Sequence, residues 1–356
     1  MVERTRTFRS TARLIELEDE LPSESEAQPN RITPWILRLL MAALLLFGSE
    51  ILLWIDPPSR TIEDWALLAG GYFLLGTLAL DLAARFRIRS VYDAMAVVGI
   101  VALYNGLLLN PETALSDFPG TFMTQVIGAH SLLEMEMFGL FLALTGGANR
   151  RIFRLLLGFS LWVGFYWGIW LRWTPSETDW LHEEVALTTM ALWAGVLLAV
   201  IGVLAVFAGR RASTGTPDDL QVTVPGLGMV GIIGAGLLIY RASQIELDAA
   251  AVTIVAILTV LGLAILWFQR PTKGAILLDA HYPPILPPVV WIGAAIVIFT
   301  VATAVGYHLP KIDVLGYSQV SLMEYGFVAV GTLWWPVIAA VVSIDGLDRI
   351  GRMRRW

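Results

Sequence analysis

The chain has 356 residues, of which 56% are hydrophobic and only 15% charged, with a formal net charge of −6. A soluble domain carries about 25% charged residues, so an ordinary soluble enzyme and a basic nucleic-acid binder are both excluded. Cysteine is absent, which excludes disulfides, thiol catalysis, cysteine-ligated zinc and iron–sulfur clusters.

The chain opens with MVERTRTFRSTARLIELEDELPSESEAQPN, basic at first and then acidic with Ser and Pro. It holds no continuous apolar core, so no cleavable signal peptide is expected. Residues 1–33 are read as a disordered cytoplasmic arm. From there the apolar residues fall in blocks of about 20, enough to cross a hydrocarbon core. The expected fold is an all-α polytopic integral membrane protein.

Ten transmembrane helices are predicted in chain order, at 35–55, 63–84, 91–109, 121–145, 152–171, 184–208, 224–241, 249–268, 285–307 and 317–343. Pro- and Gly-rich connections such as IDPPSR, LNPETALSDFPG and HYPPILPP separate them. The loops are short, so residues 34–345 form one membrane domain, followed by a basic cytoplasmic tail at 346–356. With an even helix number and both ends inside, only Arg60, Arg172, Arg241 and Lys311 of the 24 Lys and Arg fall outside. That asymmetry follows the positive-inside rule, and the expected location is the cell membrane, plasma or inner.

Small residues mark expected helix contacts: AGGYFLLG in the second helix, Gly164 and Gly168 in the fifth, GLGMVGIIGAG in the seventh. The aromatic run SLWVGFYWGIWLRW in the fifth helix reads first as a packing surface, and second as a place to stack a quinone or pigment. Pro336 predicts a kink in the last helix.

The functional lead is a set of polar residues inside the apolar blocks. Glu50 lies on the first helix, Asn105 on the third, His130, Glu134 and Glu136 on the fourth, and Glu324 on the tenth. An ionised carboxylate at a helix centre costs about 2.5–3.5 kcal/mol on insertion scales. Such groups are kept when paired, protonated or lining water. His130 and Glu134, four residues apart, share a helix face. Glu136 points about 200° from Glu134, at 100° per residue, so the fourth helix is expected at the centre of the bundle. Most of these residues fall in the extracytoplasmic half. At the outer ends of helices, His182, His308, Asp179 and Glu183 form a second candidate site, although acids at a helix start also serve simply as caps.

Three functions fit. A secondary transporter or permease would couple a small-molecule or ion substrate to protons or cations through Glu134 and His130. A membrane subunit of a quinol-handling redox or energy-conserving complex would pass quinol protons to the same pair. An intramembrane lipid-modifying enzyme would use them as acid and base. The first reading implies no cofactor, and the second a quinone. The expected partners are the lipid bilayer and either further copies of the chain or other membrane subunits. No haem-type histidine pair, retinal-type lysine, zincin, Walker or Rossmann motif is present in the sequence.

Overall fold

The computed structural model describes residues 32–53, 60–147, 149–176, 186–211, 215–244, 247–270 and 275–353; of Thr113 and 345–353 it describes the backbone alone. Nearly all of the predicted N-terminal arm lies outside the described residues. Among the described residues, ten helices are long and apolar enough to cross a membrane. They are α1 Thr33–Leu53, α2 Ile62–Arg85, α3 Val91–Leu109, α4 Phe122–Thr145, α5 Arg150–Trp173, α6 Leu187–Arg211, α7 Val224–Gln244, α8 Ala249–Gln269, α9 Val289–Tyr307 and α10 Gln319–Met353. A two-residue hairpin, β1 Asp313–Val314 with β2 Tyr317–Ser318, joins α9 to α10. The described residues are thus predominantly helical, with the ten long apolar helices of a multi-pass membrane protein.

Local signals set the helix ends. Thr61 and Asp64 cap α2 reciprocally, Thr61 N–H donating to Asp64 and Asp64 N–H to the Thr61 hydroxyl. Ser90 and Asp93 repeat the device on α3. Asn149 accepts from the N–H groups of Arg151 and Ile152 at the start of α5. The last helix runs well beyond residue 343, through Pro336 and into the segment read as a tail.

The helices fall into a core and a rim. Of the most apolar 18-residue window, α1 buries 83%, α2 67%, α3 72% and α4 56%, whereas α6 buries 22% and α7 none. The centre of the bundle is shared by α1, on which α2, α4 and α6 pack, and α4, which meets α1, α3, α5, α6 and α10 as the sequence led one to expect. Large apolar side chains on the rim point outward, among them Leu192, Val203, Ile257, Val260, Val297 and Leu333. Such a surface suits lipid or a further membrane helix rather than water.

The glycine expectations divide. On α5, a Cβ at Gly164 or Gly168 would meet the backbone of Phe299 or Thr303 on α9, and one at Gly306 would meet Phe165. These two helices touch backbone to backbone, as small residues allow. On α7 the expectation fails: Gly228, Gly231, Gly234 and Gly236 have nothing within 4 Å of a built Cβ. This helix stands at the rim: Gly228 and Gly236 are exposed, and Gly231 and Gly234 line a cavity of about 310 Å³ against α2, α3 and α8 rather than a close helix contact.

Three of the four core helices are irregular. The last turns of α1, Phe47–Leu53, are π-helical, as are Asn105–Leu109 at the end of α3 and Phe122–His130 at the start of α4. A π turn holds an extra residue and is common at functional sites. Side chains from rim helices bind the carbonyls near these turns. Trp167 and Trp170 on α5 donate through Nε1 to the carbonyls of Ile51 and Leu53, at 2.9 and 3.0 Å. The Arg241 guanidinium on α7 donates to the carbonyls of Leu108 and Leu109.

Candidate functional site

The three widened turns meet at one place, and a polar network fills it. From α1 come Ser49 and Glu50, from α2 Tyr72, from α3 Asn105 and the following Asn110, and from α4 His130 and Glu134. All seven are buried, with at most 7% exposure. Four of the residues expected from sequence are therefore brought together: Glu50, Asn105, His130 and Glu134.

Asn105 is the hub. Its Nδ2 donates to Glu134 Oε1 at 2.8 Å and lies 3.2 Å from Ser49 Oγ and 3.3 Å from His130 Nδ1. Two amide hydrogens face three acceptors, so Nδ2 makes at most two of these bonds at a time, while Ser49 and His130 can bond each other. Ser49 Oγ is 3.2 Å from His130 Nδ1. On its other side, Asn105 Oδ1 accepts from Asn110 Nδ2 at 2.9 Å. Asn110 Nδ2 also reaches Glu50 Oε1 at 3.0 Å, the oxygen that accepts from the Tyr72 hydroxyl.

The two carboxylates are treated differently. Glu50 Oε2 pairs with the Arg60 guanidinium at 2.6 Å, the arginine side chain being 24% exposed. Glu50 is thus neutralised at the end of the bundle where α1 finishes and α2 begins. Glu134 receives one amide hydrogen at Oε1, and its Oε2 has no hydrogen-bond partner among the described residues. A buried polar atom left so is costly in a medium without water.

The remaining candidates lie elsewhere. Glu136 sits on the opposite side of α4 and lines a separate cavity. Glu324 is half-buried on α10, a helix that packs against α3 and the start of α4. His308 is exposed at the end of α9, its ring edge-on to Tyr307. His182, Asp179 and Glu183 lie outside the described residues. No group of three His, Asp or Glu side chains among the described residues is placed to hold a metal ion.

Five polar residues at work in the structure were not singled out from sequence. Ser49, Tyr72, Asn110 and Arg60 complete the network. Asp81 is a buried acid at the other end of α2; it takes two bonds from Arg85 and one from the Val222 N–H, fastening residues 215–222 to the bundle. Asp81 carried the same signal as Glu50, an acid in an apolar block, and an Arg four residues later marked it as paired.

No protein-family model matches the chain, no curated protein matches it, and no solved structure matches it.

Proposed function

We propose that the protein is a secondary transporter of the cell membrane in which Glu134 takes up and releases the coupling ion, a proton or a small cation. The observation that carries this reading is Glu134 itself: enclosed in the bundle, held by a single amide hydrogen, with Oε2 lacking a donor among the described residues. A bound proton or cation removes the cost of that arrangement.

The rest of the network supports it. From Arg60 through Glu50, Asn110 and Asn105 to Glu134, each step is 3.0 Å or less. This is a continuous polar path from a partly exposed end of the bundle to the middle of α4. Under the positive-inside topology that end is extracytoplasmic. Irregular helix lining a membrane-embedded ion site is also how many transporters place polar backbone within the bilayer.

The test needs no knowledge of the transported solute. Protein reconstituted on a solid-supported membrane receives a rapid pH or Na⁺ jump, and the charge displaced on loading is recorded. Wild type gives a transient current for one of the two ions, and Glu134→Gln loses it while still folding. A folded wild type that displaces no charge with either ion overturns the reading and leaves the network a structural one. Recovery of the protein in a large assembly carrying quinone would favour the quinol-handling subunit instead.

A further inference from the structure

On the far side of α4 from the network lies a cavity of about 230 Å³ between α1, α4, α5 and α10. Its walls are aromatic and aliphatic: Trp162, Tyr166, Trp167 and Trp170 from α5, Phe327 from α10, and Leu52 and Leu53 from α1, among others. Among the described residues of the lining, Glu136 is the only carboxylate, and there is no Lys, Arg or His. Glu136 has no hydrogen bond or ion pair with the described residues. The rim is open: Trp162 is 60% exposed, and Gly326 has nothing within 4 Å of a built Cβ. Since these positions lie on the lipid-facing flank of a membrane bundle, the entrance faces the bilayer.

We infer that this cavity is a binding site for a lipophilic organic cation, its positive centre held between the Glu136 carboxylate and the tryptophan faces. Charge complementarity makes the case. A lone acid in an aromatic enclosure attracts a cation and repels an anion, and aromatic faces add cation–π attraction. The indole N–H groups of Trp167 and Trp170 are already spent on the carbonyls of Ile51 and Leu53. Those two rings therefore offer faces rather than donors. Trp162 and Tyr166 keep a donor each, so it is the single carboxylate, with no basic partner in the described lining, that favours a cation over a quinone. An unpartnered glutamate in a membrane-embedded wall is expensive, and a bound cation offsets that cost. The site does not depend on the transporter reading, because binding is measured without transport.

The probe is benzyltrimethylammonium, with neopentylbenzene as its uncharged isostere, applied to the full chain in nanodiscs of zwitterionic lipid and followed by calorimetry. Wild type should bind the cation saturably. Glu136→Gln should weaken that binding about tenfold, the scale of a desolvated cation–aromatic and charge contact. Gly326→Phe, which fills the entrance without meeting backbone, should weaken it similarly. Melting temperatures establish that each variant is folded, and Gly326→Phe keeps the test decisive if Glu136→Gln does not fold. Equal binding of the charged and uncharged probes, unaltered binding in folded Glu136→Gln, or no saturable binding at all overturns the inference. So does preferential binding of a short-chain quinone.

Discussion

Asn105 and Glu134 are joined by a 2.8 Å bond from the amide Nδ2 to Oε1, and the same amide reaches Ser49 and His130. One side chain thus holds three helices in register around the acid. Asn105→Leu removes two donors and one acceptor from a closed site and strands Glu134, Ser49 and Asn110. It should destabilise the protein by about 2–4 kcal/mol, read as a lowered melting temperature in detergent. A melting temperature equal to wild type would mean that the network holds nothing together.

Arg60 and Glu50 form the outer end of that network. Arg60→Ala leaves Glu50 without its counter-charge and should cost about 1–3 kcal/mol. Adding Glu50→Gln should recover part of the loss, since the stranded charge is then gone. A double-mutant cycle on melting checks this, and strictly additive losses would show that the two side chains do not interact.

Much of this arrangement was legible in the sequence, for a simple reason. In a lipid environment every spanning helix must be apolar along its length, so both the ten spans and the polar intruders Glu50, Asn105, His130 and Glu134 stand out. Tyr72 did not, because an aromatic in an apolar helix reads as packing or an interfacial anchor. Asn110, ahead of Pro111, reads as a turn residue, yet it folds back to join Asn105 and Glu50. Nor do the π turns announce themselves; at two of them side chains from other helices, Trp167 and Arg241, bind backbone carbonyls, contacts that only the tertiary packing brings about. The glycines of α7 show the converse: the small-residue pattern was present, and its partner was not.

The contrast between α5 and α7 gives a second stability prediction. Gly168→Leu pushes a side chain into the α9 backbone and should cost about 1–3 kcal/mol or more. Gly228→Leu, on the open face of α7, should change stability by less than about 0.5 kcal/mol. Thermal melts of the two variants side by side decide it. A strongly destabilised Gly228→Leu would show that α7 is covered in the membrane.

His281 adds a pH dependence outside the spans. It is half-buried in the connection between α8 and α9, 2.7 Å from the Leu277 carbonyl, and burial lowers its pKa below the ordinary histidine value. The unfolded chain then binds the proton more readily than the fold. Its contribution is fully present above the ordinary histidine pKa and is lost as pH falls toward the lowered folded value. Melting curves across that range should be flatter in His281→Gln than in wild type, and identical slopes would contradict this.

The direction of the spans is open to labelling, because the chain has no native cysteine. Leu315, at the tip of the β1–β2 hairpin and 94% exposed, should react as Leu315→Cys with an impermeant maleimide in intact cells. Arg151→Cys, at the start of α5, should react only after permeabilisation. The reverse pattern would invert the topology and move the Arg60 end of the network to the cytoplasm.

The central claim is that Glu134 exchanges a proton or cation, and infrared difference spectroscopy of the reconstituted protein tests it most directly. Spectra are compared between acidic and alkaline buffers and with and without Na⁺. The account predicts a change in carboxyl C=O stretching that disappears in Glu134→Gln and persists in Glu136→Gln. A carboxyl signal that never changes with either ion, or one that survives in Glu134→Gln unaltered, would contradict it.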